Sequence, residues 1–233
     1  MKVMVLSGGG IDSATCVGYA VKEFGAKNTL ALTFKYGQKH DTEVEYVKKL
    51  AGYYGIKNMV LDLISLYEKD ARCALLKKND VSVEHDSYEN QALLEDGAPI
   101  KTCVPFRMGV FLSVATSQAI MQRYDLIVHG TNLQSMIKNT YPDASSIFCT
   151  AMGEAAVIGS GGLVRTFTPF LDDTKAGVIK YGTKIGVPYE LTWSCYEGRK
   201  EACGTCGACI ERKLAFIENG LEDPIEYENK KEN

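Results

Sequence analysis

The chain has 233 residues, of which 45% are hydrophobic and 24% are charged, and its net charge at pH 7 is −3. This composition predicts a globular protein with one large domain, or with one domain and a small appendage. The weak charge excludes a strongly basic nucleic-acid-binding surface, and no run of about 18 apolar residues predicts a membrane-spanning helix. The N-terminal apolar run is too short for a signal peptide, so we expect a cytoplasmic protein with neither a nucleic-acid nor a membrane partner.

Strands and helices are predicted to alternate along most of the chain. We expect strands at 3–6, 30–34, 59–63 and 126–129, and helices at 12–24, 43–54, from Pro105 to 121, 148–158, 173–186 and 209–219. The polar stretch 67–99 interrupts this pattern, and we interpret it as an excursion, partly helical at most, and a candidate lid. The alternation predicts an α/β fold, with a Rossmann-like parallel sheet covered by helices on both faces.

A glycine-rich turn, within the sequence LSGGGIDSATC at residues 6–16, joins the first predicted strand to the first predicted helix. Such a turn makes an anion site, because unpaired backbone N–H groups and the positive end of the helix point at the same place. Ser7 and Ser13 can add hydroxyl donors, and Asp12 can hold a metal ion or cap the helix. Neither the dinucleotide fingerprint nor the Walker motif fits, since residue 13 is serine and no Gly-Lys-Ser/Thr follows. The alternative is a glycine turn that binds no ligand.

The eight cysteines are unevenly distributed along the chain. Cys16, Cys73, Cys103 and Cys149 are scattered, and we interpret them as small buried hydrophobic residues. The other four, Cys195, Cys203, Cys206 and Cys209, have the spacing C-x7-C-x2-C-x2-C. Four thiolates satisfy a tetrahedral Zn²⁺ in a closed structural site, and the alternatives are an iron–sulfur cluster or redox thiols. The chain is therefore divided into an α/β domain at 1–190 and a C-terminal cysteine segment at 191–233 that packs on it.

The glycine turn resembles the pyrophosphate loop, Ser-Gly-Gly-x-Asp-Ser, of the ATP pyrophosphatase superfamily, whose members adenylate a carbonyl oxygen and release pyrophosphate. This chain departs from the loop by one residue, so that either a glycine is inserted or Gly8 stands at the place of the first serine. The resemblance implies that ATP is bound by Leu6, Ser7, Gly8, Gly9, Gly10, Ile11, Asp12, Ser13 and Ala14.

Further segments, in chain order, are similar to motifs of the 7-cyano-7-deazaguanine synthase family, which forms a nitrile in the queuosine pathway. They are Tyr36-Gly37-Gln38-Lys39-His40, Thr102 to Arg107, Tyr141-Pro142-Asp143, Thr168-Pro169 followed by Lys175, Thr192 to Tyr196, and the cysteine motif closed by Arg212-Lys213. Together with the loop, these segments extend the resemblance over most of the chain.

This resemblance implies that ATP, with Mg²⁺, adenylates the carboxylate of 7-carboxy-7-deazaguanine, that ammonia then gives the amide, and that a second ATP activates the amide for loss of AMP to the nitrile. It implies a homodimer and a structural zinc. The implied catalytic residues are Asp12, Ser13, Arg107 and Lys175. The implied substrate-binding residues are Tyr36, Gln38, His40, Arg107, Asn132, Tyr141 and Asp143.

The sequence departs from the family in the region that should bind the substrate. Ala144-Ser145-Ser146-Ile147 replaces Cys-Arg-Pro-Glu, and Phe106 and Met108 replace a glycine and an asparagine that flank the motif arginine. Two alternatives follow from these changes. One is an enzyme that stops at an amide of ammonia or of a protein amine, as in anti-phage defence systems, and the other is a non-catalytic module that binds ATP and zinc and regulates a partner.

Overall fold

Five parallel strands form the centre of the fold. We describe it from a computed structural model, over residues 1–67, 72–96, 98–133 and 141–228. The strands are β1 (Val3–Leu6), β2 (Thr29–Lys35), β3 (Lys57–Asp62), β4 (Leu126–Val128) and β5 (Arg165–Phe167), and their order in the sheet is β3-β2-β1-β4-β5. Parallel neighbours need long crossover connections, and helices supply them here. The predicted α/β class is confirmed.

Helices cover both faces of this sheet. They are α1 (Ile11–Phe24), α2 (Thr42–Tyr54), α3 (Tyr88–Leu94), α4 (Arg107–Gln122), α5 (Ser146–Gly159), α6 (Lys175–Lys184) and α7 (Gly207–Glu218). Alternate residues of β1 point to opposite faces of the sheet. Val3 and Val5 therefore pack with α1, α2, α6 and α7, whereas Met4 and Leu6 pack with α4. No helix in the described part of the chain is long and apolar enough to cross a membrane.

The ends of several elements differ from the prediction by one or two residues: β3 begins at Lys57, α5 at Ser146 and α7 at Gly207, and α6 ends at Lys184. Three further differences bear on the fold. The strand β5 was not predicted, since only three residues form it and two of them are exposed. The helix α6 begins after Thr174 rather than at Asp173, because the Thr174 hydroxyl accepts a hydrogen bond from the N–H of Gly177 at 3.2 Å and so caps the helix. The polar stretch after residue 67 is also packed more tightly than predicted, with Leu75 and Leu76 fully buried.

The C-terminal segment contributes to the core of the sheet domain. Ala215 and Phe216 of α7 lie in the same apolar cluster as β1 and α1. The four clustered cysteines lie in a separate apolar cluster that includes Trp193 and Ala202. The N–H of Trp193 donates to the carbonyl of Gly9 at 2.8 Å. The segment is therefore held against the loop that follows β1.

Candidate active site

A cavity of about 310 Å³ opens at the carboxyl ends of β1, β2 and β4. The strand order reverses at β1, because β2 and β3 lie on one side of it and β4 and β5 on the other. Open α/β sheets bind their ligands at such a topological switch point. Most of the predicted site residues line this cavity: Leu6, Ser7, Gly8, Gly10, Asp12, Ser13, Tyr36, Gln38, His40, Arg107, Asn132, Tyr141, Asp143 and Lys175. Of the other predicted residues, Ile11 and Ala14 have side chains in the apolar core, and Gly9 is buried in the loop.

The glycine loop connects β1 to the N-terminus of α1, and its three glycines are not equivalent. Gly9 has a φ of +84°, and a Cβ there would lie 2.7 Å from the carbonyl oxygen of Glu43, so this position requires glycine. A Cβ at Gly8 would meet nothing within 4 Å. Gly10 is the N-cap of α1. This geometry favours the interpretation that Gly8 stands where the superfamily loop has serine.

Two buried polar atoms of the loop region have no hydrogen-bond partner within the described residues. They are the hydroxyl of Ser7 and Oδ1 of Asp12. Buried polar groups in native proteins are nearly always bonded, so these atoms are suited to a ligand or a hydrated metal ion. The hydroxyl of Ser13, in contrast, donates to the carbonyl of Gly10 at 3.1 Å and holds the first turn of α1.

Lys175, the first residue of α6, lies between two carboxylates. Its Nζ is 3.4 Å from Oδ2 of Asp12 and 3.5 Å from Oε2 of Glu211. Burial opposes the charge on Lys175, but the two carboxylates outweigh it and raise the pKa of the amine above its ordinary value. Burial also raises the pKa of Glu211, although Lys175 offsets part of that increase. The cavity therefore holds a protonated lysine beside the glycine loop.

Arg107, the first residue of α4, lies among aromatic side chains in the same cavity. Its Nη1 donates to the hydroxyl of Tyr36 at 3.0 Å, and its guanidinium carbon is 5.6 Å from the centre of that ring. Burial raises the pKa of Tyr36 to about 12 despite the neighbouring charge of Arg107. The phenol thus stays neutral and the guanidinium stays charged at any physiological pH.

Tyrosines from distant segments surround Arg107. The hydroxyl of Tyr88 donates to the hydroxyl of Tyr196 at 2.8 Å, and the hydroxyls of Tyr141 and Thr102 are 2.9 Å apart. The rings of Tyr88 and Tyr141 are perpendicular, with centroids 5.8 Å apart. Tyr88, Tyr141 and Tyr196 all line the cavity, and this wall carries hydroxyl groups but no charge.

Two of the predicted substrate-binding residues, Gln38 and His40, are bonded to neighbouring residues of the chain. Gln38 accepts from the N–H of Tyr36 at 2.9 Å and donates to the carbonyl of Phe34 at 3.3 Å. His40 is buried, with Nε2 3.3 Å from Oε2 of Glu43. Each of these contacts fixes the chain just beyond β2, where the cavity begins.

The side chain of Asp143, from the turn before α5, contacts the start of α4, where Phe106 and Met108 depart from the family motif. Oδ2 of Asp143 accepts from the N–H of Met108 at 2.8 Å, which satisfies one of the unpaired donors of the first helical turn. Phe106 precedes the helix with a φ of +51°, a conformation that costs a residue other than glycine free energy. Ala144 and Met108 line the cavity. Two of the six substituted positions are therefore part of the site wall, whereas Phe106, Ser145, Ser146 and Ile147 are not.

His129, at the end of β4, is a buried neutral histidine. Its Nδ1 is 3.0 Å from Oγ1 of Thr131, and its Nε2 is 3.0 Å from Oγ1 of Thr168. Burial lowers its pKa from 6.5 to about 4. It lines the cavity beside the glycine loop, and it joins the ends of β4 and β5.

The four clustered cysteines converge as predicted. Their sulfur atoms all lie within 4.8 Å of one another and are buried. The N–H of Cys203 donates to Sγ of Cys195 at 3.3 Å, and the N–H of Cys206 donates to Sγ of Cys203 at 3.3 Å. A tetrahedral Zn²⁺ with bonds of about 2.3 Å separates its sulfurs by about 3.8 Å. The four thiols therefore fit a metal ion, and their N–H donors stabilise thiolates.

Sequence reasoning missed several residues of the cavity: Glu43, Tyr88, His129, Tyr196 and Glu211. Tyr196 and Glu211 carried a weak signal, since each lies within two residues of a clustered cysteine. Tyr88 carried none, because it lies in the polar stretch and reaches the cavity only through the tertiary fold.

Comparison with known proteins agrees with this geometry. Residues 1–220 match the family model described as queuosine biosynthesis protein QueC. Three similar proteins are each named 7-cyano-7-deazaguanine synthase. The one from Caldicellulosiruptor saccharolyticus is 37% identical over 98% of this chain and 96% of its own length. The one from Archaeoglobus fulgidus is 35% identical over 97% and 90%, and the one from Psychromonas ingrahamii is 33% identical over 98% and 98%.

Two solved structures share the fold at low sequence identity. The U34-tRNA thiolase NcsA from Methanococcus maripaludis, solved with its 4Fe–4S cluster, is 16% identical with a TM-score of 0.50, over 95% of this chain and 66% of its own. The NH3-dependent NAD synthetase from Campylobacter jejuni is 14% identical with a TM-score of 0.50, over 82% and 66%. With the match to its family model and to full-length relatives, this chain belongs to the queuosine biosynthesis QueC family.

Proposed function

We propose that this protein is an ATP-using carbon–nitrogen ligase that converts 7-carboxy-7-deazaguanine and ammonia into 7-cyano-7-deazaguanine. One observation carries the proposal: a glycine loop, a protonated lysine and a charged arginine line one cavity at the switch point of the sheet. The full-length relatives named 7-cyano-7-deazaguanine synthase support the same reaction.

The first half of the reaction activates the acid. A carboxylate oxygen attacks the α-phosphorus of ATP, and the bond from that phosphorus to the departing pyrophosphate breaks. The backbone of the glycine loop and the N-terminus of α1 bind the pyrophosphate, with Ser7 and Ser13 beside it. Lys175 and Arg107 supply positive charge where negative charge develops.

The cavity also fits the Mg²⁺ that accompanies ATP. Asp12 offers Oδ1, which is buried and has no hydrogen-bond partner among the described residues, and carboxylate oxygens are the ligands that Mg²⁺ prefers. When bound, the ion neutralises charge on the phosphates. Lys175 holds Oδ2 of the same carboxylate and so orients it.

The second half of the reaction forms the carbon–nitrogen bonds. Ammonia attacks the activated carbonyl carbon, AMP leaves, and one proton is lost to give the amide. The amide oxygen then attacks a second ATP and releases pyrophosphate, and loss of AMP and two protons gives the nitrile. Tyr36, Gln38, His40, Asn132, Tyr141 and Asp143 form or hold the walls that enclose the substrate during both steps.

We further propose that the cysteine cluster holds one structural Zn²⁺. Four protein thiolates leave no open coordination position for catalysis, and the cluster lies in its own apolar group with Trp193 and Ala202. The rival occupant is an iron–sulfur cluster. Elemental analysis of the purified protein should give about one zinc per chain and no iron, and stoichiometric iron would overturn the zinc assignment.

The reaction is tested by product analysis. The protein is incubated with 7-carboxy-7-deazaguanine, Mg-ATP and ammonium, and the products are resolved by mass. We expect the nitrile and AMP. An amide as the end product, or a deazaguanine mass added to a protein, would replace the proposal with the amide-forming alternative, the one associated with anti-phage defence. Absence of AMP under these conditions would contradict both enzymatic reactions and favour a non-catalytic module.

Three further expectations from the sequence belong to this proposal. They are a homodimer, a cytoplasmic location, and a division into an ATP-binding domain at 1–190 and a cysteine segment at 191–233. Size-exclusion chromatography with light scattering tests the first of these, with a mass of about twice the 25.6 kDa of one chain expected.

A further inference from the structure

We infer that Arg107, together with the hydroxyls of Tyr88, Tyr141 and Tyr196, forms a subsite that binds the reacting carboxylate of the substrate, separate from the loop that binds the phosphates. This inference rests on the proposed function and deepens it. It assigns different anions to the two cations of the cavity, and it gives a role to Tyr88 and Tyr196, to which the sequence analysis assigned none.

The first argument compares the partners of the two cations. Lys175 is neutralised by Asp12 and Glu211, at 3.4 and 3.5 Å. Arg107 has no carboxylate oxygen within 4.0 Å among the described residues; the negative charge of Asp143 acts on it from beyond that distance, and its hydrogen bond goes to the neutral phenol of Tyr36. Burying a cation without an ion pair at contact distance is costly. Arg107 therefore lies in a place where a bound anion would stabilise the protein.

The second argument concerns the shape of that anion. A guanidinium presents a planar fork of N–H donors that matches the two oxygens of a carboxylate. Lys175, in contrast, offers a point charge next to the glycine loop and the N-terminus of α1, where phosphate groups bind. The two cations thus suit the two anions that the adenylation brings together.

The third argument concerns the wall around Arg107. The hydroxyls of Tyr88 and Tyr196 are 2.8 Å apart, and Tyr141 holds Thr102 at 2.9 Å. These hydroxyl groups line the cavity and can donate to carboxylate oxygens, while the rings offer flat apolar surface to a heteroaromatic substrate.

This subsite should distinguish the acid from the amide. The acid carries a full negative charge for Arg107 to pair with, whereas the amide intermediate is neutral. Truncating one partner of a charge-assisted hydrogen bond costs about 10- to 100-fold in affinity. Arg107→Gln should therefore weaken binding of the acid by about 10- to 100-fold and binding of the amide by less than about threefold. Affinity for Mg-ATP should stay within about threefold of the wild type.

Equilibrium titrations test this inference without turnover. Calorimetric affinities for 7-carboxy-7-deazaguanine, for its 7-carboxamide and for a non-hydrolysable Mg-ATP analogue are measured for the wild type, Arg107→Gln, Arg107→Lys, Tyr88→Phe and Arg123→Gln. Arg123 is the control, since it is exposed at the other end of the same helix. We expect Tyr88→Phe to weaken acid binding by about 3- to 10-fold, and Arg123→Gln to leave all three affinities unchanged. Arg107→Lys keeps the charge and should retain part of the preference for the acid over the amide. If Arg107→Gln does not fold, Arg107→Lys is compared with the wild type instead.

The outcomes separate the inference from the proposed function. If the wild type binds the acid but Arg107→Gln weakens acid and amide equally, the carboxylate subsite is wrong and the proposed reaction stands. If Arg107→Gln weakens the ATP analogue instead, Arg107 belongs to the phosphate site and the inference is overturned. A wild type that binds neither the acid nor the amide would contradict the proposed function itself.

Discussion

The two halves of the cavity are built in different ways. The loop half consists of consecutive residues after β1, joined by Lys175, whereas the tyrosine half is assembled from α3, α4, the turn at Tyr141 and the chain next to Cys195. The loop half could therefore be identified largely from one local motif, whereas the tyrosine half was identified only in part, since Arg107 and Tyr141 lie in motifs and Tyr88 does not. In the proposed function, phosphate binding thus depends mainly on one loop, while recognition of the acid depends on segments that meet only in the folded protein.

The cysteine cluster supports both halves at once. Glu211, two residues after Cys209, pairs with Lys175 in the loop half. Tyr196 follows Cys195 and contacts Tyr88 in the tyrosine half. A Cβ at Gly207 would lie 2.5 Å from the ring of Tyr88, so α7 also packs directly against this wall. The metal site should thus matter for the shape of the whole cavity.

The largest expected effect is on folding, and it tests this shared dependence. Cys206→Ala removes one ligand of the cluster, so the bound metal should be lost and the melting temperature should fall by about 10 °C or more. Cys16→Ala is the control, because Cys16 is equally buried in the core but ligates nothing, and it should lower the melting temperature by only about 2–4 °C. A stable, inactive Cys206→Ala variant would contradict the structural role of the metal.

The next effect is on turnover and belongs to the loop half alone. Lys175→Met should lower kcat for AMP release by about 100- to 1,000-fold, since it removes a charge aimed at the phosphates. The control is Lys180→Met, which changes an exposed lysine of the same helix and should leave kcat unchanged. Steady-state kinetics with saturating acid measure kcat for both variants. Equal kcat values would show that Lys175 takes no part in the reaction.

His129, which lines the cavity beside the glycine loop, gives a pH-dependent test of the loop half. Its pKa is lowered from 6.5 to about 4 by burial, so the unfolded chain binds a proton at a pH where the folded protein does not. The free energy of unfolding should therefore be unaffected by His129 above about pH 6.5, and should fall by about 3 kcal/mol as the pH is lowered through about 4.

Urea denaturation at several pH values, for the wild type and for His129→Asn, checks this expectation. The variant should be less stable at pH 7 because it loses hydrogen bonds to Thr131 and Thr168, and its stability should depend less steeply on pH between 6.5 and 4. Parallel pH profiles for the two proteins would show that His129 is not a buried neutral group.

The smallest effect concerns which glycine of the loop stands at the serine position. Gly9→Ser places a side chain 2.7 Å from the carbonyl of Glu43 at a φ of +84°, and should weaken ATP binding by about 10-fold or more. Gly8→Ser meets nothing within 4 Å and should keep ATP affinity within about threefold. Titration with a non-hydrolysable ATP analogue compares the two, and similar losses in both variants would show that Gly8 does not stand at the serine position.

Much of the fold was predictable because apolar periodicity reports directly on elements packed on both faces of a sheet. The strand β5 escaped prediction because the side chains of Arg165 and Phe167 are exposed, so the strand has no apolar run. The start of α6 was misplaced by two residues because Asp173 and Thr174 are both good N-caps, and only the bond from Gly177 shows that Thr174 caps the helix and Lys175 begins it.

Site residues could be predicted where they lie within short, contiguous sequence motifs. Asp12, Arg107 and Lys175 were identified from motifs, and all three line the cavity. Tyr88 and Glu211 were missed because their contacts, with Tyr196 and with Lys175, join residues that are far apart in the sequence. No periodicity or spacing predicts such pairs.

The most direct test of the account is ATP–pyrophosphate exchange in the absence of ammonia. If the loop half activates the acid held by the tyrosine half, labelled pyrophosphate should enter ATP only when 7-carboxy-7-deazaguanine is present. Lys175→Met should abolish the exchange, and Lys180→Met should retain it. Exchange that is independent of the acid, or no exchange with the acid bound, would contradict the adenylation of this carboxylate.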